Sequence, residues 1–291
     1  MAKLEERLPE NAPGDFFVDA TCIDCDTCRQ IAPSVFGALP RGLSFVKAQP
    51  ASDAERLRAA MALVACPTSS IGSAQKGDTK AAVQSFPEPI EGGVMYCGFA
   101  AESSFGAQSY FVERAAGNLL IDSPRAARPL VKKLRELGGA RLMALTHRDD
   151  VADHAWYREE LGCDRLIHKA DLEEGTASVE RVVEGKDPVK IDEDLTAIPV
   201  PGHTRGSIAL LYKEQYLFTG DHLWYSPSRG GLSASRSVCW YSWAEQVQSV
   251  ERLLDFRFEW VLPGHGRRYR AASAAAMRAE VERALETLRA S

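Results

Sequence analysis

Two groups of residues in this chain have the types and spacing of metal ligands. Cys22-Ile-Asp-Cys25-Asp-Thr-Cys28 places three thiols in seven residues, and Cys66-Pro67 adds a fourth. Thiolates are soft donors, and a Cys-x2-Cys-x2-Cys loop wraps one corner of an iron–sulfur cluster while a remote cysteine completes it. The same four thiols could bind a structural zinc, but the tight triplet and the Cys-Pro pair favour a cluster. The second group comprises His147, Asp149, Asp153, His154, His203, Asp221 and His265. Imidazole nitrogen and carboxylate oxygen suit zinc, iron and manganese, and a bridging carboxylate such as Asp221 can hold two cations ~3.5–4 Å apart. A lone histidine is ordinarily a core or surface residue. Four motifs in series are not ordinary.

Each motif of the second group follows an apolar stretch, so strand ends would aim the ligands at a common point. Arg141–Thr146 reads as the strand before His147, Ala197–Val200 precedes Pro201-Gly-His203, Tyr216–Thr219 precedes Asp221, and Trp260–Leu262 precedes Pro263-Gly-His265. Further strands are expected around Gly93–Phe99, Ser109–Glu113, Leu119–Asp122 and Ile208–Tyr212. Helices are expected over 126–137, 243–254 and 271–289. Nearer the cysteines, Phe16–Asp19 and Leu43–Val46 read as strands. Ser52 to Ala65 places Ala54, Leu57, Met61 and Val64 at helical spacing behind a Ser52 cap. Residues 76–90, with two prolines and no periodicity, read as a linker between a domain at 1–75 and one at 91–291.

The composition fits an ordinary globular protein: 291 residues, 45% hydrophobic and 26% charged. Its net charge of −5 does not suggest a nucleic-acid partner. No stretch approaches the ~20 apolar residues of a membrane span. The opening Met-Ala-Lys-Leu-Glu-Glu-Arg-Leu-Pro lacks the apolar run of a signal peptide, so a cytoplasmic protein is expected. Of the seven cysteines, Cys97, Cys163 and Cys239 read as small buried apolar residues, Cys239 less firmly because it lies among aromatics. His168 reads as structural.

The segment Phe17-Val-Asp-Ala-Thr-Cys-Ile-Asp-Cys-Asp-Thr-Cys-Arg-Gln-Ile-Ala-Pro-Ser-Val-Phe36 resembles a single-cluster 4Fe–4S ferredoxin of the bacterial type. Two-cluster relatives follow the third cysteine with x3-Cys-Pro. Here Ala32-Pro33 stands in that place, so one 4Fe–4S cluster is expected, on Cys22, Cys25, Cys28 and Cys66. The histidine–aspartate motifs resemble the metallo-β-lactamase family, over about residues 91–291. The fold implied is α/β: an αββα metallo-β-lactamase sandwich preceded by a small α+β ferredoxin-like domain. The resemblance implies His147 and His203 on one metal, Asp153, His154 and His265 on the other, and Asp221 between them.

The family writes His-x-His-x-Asp-His, whereas this chain writes His-x-Asp-Asp-x-x-Asp-His. Asp149 fits the place of the second histidine, with Asp150 as the alternative if the longer loop rearranges. A carboxylate there is similar to the flavodiiron relatives, which hold two irons. The oxygen donor tilts the pair of divalent metals toward iron, with zinc or manganese as alternatives. Asp153 and His222 are the candidate catalytic residues. Trp224, Tyr225, Trp240, Tyr241 and Trp243 read as core or lid packing, or as a flap over the substrate.

The expected function is a redox metalloenzyme in which the cluster passes electrons to a dinuclear site. That site would act on a small molecule such as dioxygen or a nitrogen oxide, or on an organic substrate with dioxygen. The alternative is a dinuclear hydrolase of a lactone, thioester or phosphodiester, with a structural or regulatory cluster. The redox reading implies a small-molecule substrate and an electron-donor protein, and a homodimer would offer a second route between the two centres.

Overall fold

Ser52 caps the helix Asp53–Ala65 through its hydroxyl, which accepts the Glu55 N–H at 3.2 Å. The helix buries Ala59, Met61, Ala62, Val64 and Ala65, while Leu57 is exposed. The buried stripe is thus set by small alanines, which let the helix lie close to its neighbours, and it runs to one side of the stripe expected from Ala54 and Leu57. The computed structural model describes residues 2–75 and 77–290. No helix among them is long and apolar enough to cross a membrane.

Two units divide the chain, Met1–Arg141 with Ala152–Gly162, and Leu142–Val151 with Cys163–Ser291. In the first, strand Phe16–Val18 pairs antiparallel with Ile71–Ser73, and Phe36–Ala38 pairs with Ser44–Val46. An antiparallel meander follows through Glu88–Glu91, Val94–Tyr96, Tyr110–Val112 and Leu119–Ile121. Its last three strands are wholly buried, so they read as continuous apolar runs. Helices Arg128–Glu136 and His154–Leu161 pack together in the same unit.

The expected linker is corrected here. Lys80–Gln84 is a short helix and Glu88–Glu91 is the meander's first strand. Between them Phe86 is buried, edge-on to Tyr96 and Phe99. Residues 77–90 therefore belong to a packed unit, and Lys76 lies outside the described residues.

In the second unit, Leu142–Ala144, Asp164–His168 and Arg181–Val183 are parallel neighbours. A six-stranded sheet runs in the order Val189–Lys190, Leu195–Pro199, Ile208–Tyr212, Tyr216–Gly220, Trp260–Pro263, Tyr269–Arg270. Ile198, Ala209, Leu217 and Val261 of this sheet share one core with Met277, Val281 and Leu285 of the C-terminal helix Ala274–Ala290. The helix Trp243–Arg252, capped by Ser242, adds Val250 to it.

An ion pair anchors the strand Asp164–His168, which flanks the strand leading to His147. Arg165 is 4% exposed and donates to the Glu180 carboxylate at 2.9 and 3.1 Å, and to the Ser178 carbonyl at 2.7 Å. The Arg165 hydrogen bonds lower the Glu180 carboxyl from 4.5 to about 2. A carboxyl lowered in the folded state stabilises it above the unfolded pKa and loses that effect as pH falls toward the folded one. Stability from this pair should therefore be complete above about pH 4.5 and disappear toward about pH 2. Urea unfolding of the parent and of Glu180→Gln checks this: the gap between their midpoints should narrow as pH falls through that window, and a constant gap would refute it.

Candidate metal centres

The four cysteines named above meet in the first unit. Cys22, Cys25, Cys28 and Cys66 line one cavity, with Val18, Thr27, Ser44, Thr68, Ser70 and Ile71 around them. None is in a disulfide. The loop closes because Asp24 and Asp26, between the cysteines, adopt left-handed backbone with φ of 61° and 62°. Aspartate tolerates that conformation better than most residues. Arg29 fastens both, donating to Asp24 at 2.7 Å and Asp26 at 2.5 Å, and also to the Gly42 carbonyl at 2.9 Å. A Cβ on Gly42 would lie 2.5 Å from the Asp24 carboxylate. Gly106 comes equally close from another side: its Cβ would sit 2.5 Å from that of Cys25.

Burial pushes the Cys25 thiol up to about 11 and raises Cys28 further. Buried thiols of this kind are poor thiolates until a cation stabilises the charge. Four of them facing one cavity, with the Ser44 N–H directed at Cys22 sulfur at 3.4 Å, fit an iron–sulfur cluster. Cys97 and Cys163 are buried and away from this cavity, and Cys239 donates to the Gly202 carbonyl at 3.1 Å.

The second centre is built from strand ends of the second unit. Among the described residues, two groups have ligand atoms within 4.8 Å of one another: His147, Asp149 and His203, and His147, Asp150 and Asp221. His203 Nε2 is 3.1 Å from Asp149 and 3.8 Å from Asp221. His147 Nε2 is 3.7 Å from Asp150 and 3.9 Å from Asp221. His265 Nδ1 lies 2.8 Å from both Asp221 oxygens and 3.9 Å from Asp150. Two donors at ~2.1 Å from one tetrahedral cation sit roughly 3.4 Å apart, so these spacings suit shared ions.

His147 Nε2 is buried without a hydrogen-bond partner, an orphan that a cation would satisfy. Burial pushes its imidazole down to about 4, leaving it neutral as a metal ligand must be. Burial alone would raise the Asp221 carboxyl, but His265, His147 and His203 outweigh it and bring it down. His203 feels the same burial in the opposite sense, and Asp149 with Asp221 holds its pKa above the ordinary value. The residues fit two divalent cations: His147, Asp149 and His203 would hold one, Asp150 and His265 the other, with Asp221 between.

Two expectations are revised. Asp153 accepts the Ala126 N–H at 2.6 Å and stands before the helix His154–Leu161 in the first unit; neither it nor His154 falls in either ligand group. The residue brought to His265 and Asp221 is Asp150, displaced three positions by the longer loop. His222 is fully buried and outside both groups, its ring pushed down to about 3 by burial, so it is not placed to meet a substrate. His168 is structural, with Nε2 donating to the Gly185 carbonyl at 2.9 Å and Nδ1 accepting from Ala170. The aromatic residues divide: Trp224, Tyr225 and Trp243 pack on the core, while Trp240 is 62% exposed with its ring 6.0 Å from that of His203.

Asp171 escapes any motif but joins two ligand loops. Its carboxylate accepts from the Arg148 N–H at 3.1 Å, the Thr204 hydroxyl at 2.5 Å and the Gly206 N–H at 2.8 Å. It thereby fixes the backbone beside His147 and His203 together. Gly264 permits the carboxylates to converge, since its Cβ would lie 2.8 Å from both Asp150 and Asp221.

Comparison with known proteins agrees with both halves. Residues 18–73 match the family described as "4Fe-4S single cluster domain of Ferredoxin I". No curated protein matches the chain in sequence. Among solved structures, it is similar to the BLEG-1 B3 metallo-beta-lactamase at 18% identity and TM-score 0.50, over 61% of this chain and 93% of that one. The DIM-1 metallo-beta-lactamase has 16% identity and TM-score 0.51, over 68% and 96%. A metallo-beta-lactamase from Hirschia baltica has 15% identity and TM-score 0.51, over 66% and 95%.

Two outcomes follow. Asp150→Ala should lose about half of the second centre's metal, whereas Asp153→Ala should retain it; equal metal content in both would refute the assignment. Cys66→Ala should lack the broad visible absorbance of a thiolate-bound cluster, and an unchanged spectrum would remove Cys66 from the ligand set. The chain thus matches a single-cluster 4Fe–4S ferredoxin family over residues 18–73 and has the metallo-β-lactamase fold.

Proposed function

We propose that this protein is a redox metalloenzyme in which the 4Fe–4S cluster supplies electrons to a dinuclear iron centre that acts on a small molecule such as dioxygen or a nitrogen oxide. The donor set is the observation that supports it. Three carboxylates, Asp149, Asp150 and Asp221, face three imidazoles, His147, His203 and His265. Oxygen-rich sites favour iron and manganese over softer-site metals, and iron is the one of these that the cluster's electrons would put to use. An electron-donor protein would reduce the cluster, and solvent would provide protons.

The chain's own residues define what the centre can do. The neutral His147 ring and the tethered Asp171 hold the ligand geometry, and Asp149, with its side chain 38% exposed, marks the open side. The Trp240 amide donates to the His203 carbonyl at 2.9 Å, which holds its exposed ring 6.0 Å from that of His203. Bound cations would polarise a substrate oxygen and lower the pKa of bound water toward roughly 7.

That last property is the basis of a second reading, hydrolysis. The similar solved structures are named metallo-beta-lactamases, and the same ligands could hold two zincs that activate water against a lactone, thioester or phosphodiester. Stopped-flow mixing separates the two. Dithionite-reduced parent protein, mixed with dioxygen or nitric oxide, should reoxidise its cluster at least about tenfold faster than His265→Ala. Equal rates, together with lactone or thioester hydrolysis by zinc-loaded protein without the cluster, would establish the hydrolase.

A further inference from the structure

Arg125 lies well outside the matched ferredoxin segment, yet its side chain enters the cluster's surroundings within the first unit. Its guanidinium donates to the carbonyl of Cys66 at 3.1 Å, of Ala100 at 2.7 Å and of Val64 at 2.5 Å. The side chain lies over the Phe99 ring at 5.6 Å, and the Arg125 carbonyl accepts the Tyr157 hydroxyl at 2.9 Å. All of these partners are neutral. Among the described residues no carboxylate pairs with it; burial lowers its pKa, and the nearby Cys66 opposes that shift. A partly buried guanidinium without a counter-carboxylate is unusual, because removing a charge from water is costly unless an opposite charge compensates.

We propose that the 4Fe–4S cluster is the counter-ion of Arg125, and that this residue raises the cluster's reduction potential. A cluster on four thiolates is anionic and gains one more negative charge when it takes an electron, so a fixed positive charge stabilises the reduced form more than the oxidised form. Net charge around the sulfurs and hydrogen bonding are the principal means by which a protein sets such potentials. Arg125 is a positioning residue too. Its bonds to Val64 and Cys66 secure the end of the helix Asp53–Ala65, from which the fourth ligand projects. The inference depends on the cluster of the ferredoxin domain and is independent of the reaction at the second centre.

The test is a dye-mediated redox titration of the full-length holoprotein, with iron and sulfide measured in the same samples. Arg125→Gln should hold its cluster but shift the one-electron equilibrium toward the oxidised form by about tenfold, or ~59 mV, and Arg125→Lys should stay near the parent. A parental potential in Arg125→Gln with an intact cluster would overturn the proposal, as would an equal shift in Arg125→Lys. If Arg125→Gln and Arg125→Met both fail to hold a cluster, Arg125→Lys decides. A cluster retained by lysine means that the charge is what the site requires. A cluster lost from all three means that the hydrogen-bond fork alone matters, and the counter-ion role is wrong.

Discussion

The repulsion among closely set carboxylates is the constraint on which the second unit is organised. Asp150 and Asp221 present ligand oxygens within 4.8 Å of one another beside a neutral His147, Asp150 buried and Asp221 partly so. At that spacing like charges cost roughly 3.5 kcal/mol at an effective dielectric constant of 20, and the imidazoles of His147 and His265 stand beside both carboxylates. His203 and His265 offset part of the charge by hydrogen bonding to Asp149 and Asp221, whereas the neutral His147 ring adds none. Divalent cations remove the conflict. The glycine at 264 is a consequence of it, since a Cβ there would lie 2.8 Å from both carboxylates, whereas one at Gly220 would meet the Thr146 hydroxyl at 2.5 Å.

The same logic explains how the loops are held. Ligands on four separate strand ends need a common reference, and Asp171 provides one by bonding the Arg148 amide, the Thr204 hydroxyl and the Gly206 amide. Val238 accepts from His203 Nδ1, which leaves Nε2 to face the metals. Thr146 does the corresponding service for His147 at 3.0 Å. Outer partners of this kind fix ring orientation and tautomer, and their loss commonly costs about 10–100-fold in metal affinity. In the ferredoxin domain Arg29 has the comparable task, tying Asp24, Asp26 and Gly42 around the cysteine loop.

Much of this was legible in the residues alone. Thiol spacing identified the cluster, because a chemical requirement fixes both the residue type and the separation. The strand-end histidines were equally clear, and the strands before them were found within a residue or two. Asp150 was harder to place. Two added residues in the first motif leave Asp153 matching the pattern by order, while the backbone turns early and delivers Asp150; the left-handed Ala152, with φ 32°, marks where the chain departs. Asp171 and Arg125 have no sequence signature, since their roles exist only in contacts across 23 to 61 residues. The two prolines of residues 77–90 mask the signal of Phe86, whose buried ring anchors that segment against Tyr96 and Phe99.

These features combine in one account: a thiol-lined cluster site in one unit and an oxygen-rich candidate metal centre in the other. Its central claim is the metal inventory, which iron, zinc and acid-labile sulfide analysis of anaerobically purified protein measures directly. The account predicts about six irons and about four sulfides per chain, four irons in the cluster and two in the second centre. Zinc in place of iron, with no acid-labile sulfide, would contradict it.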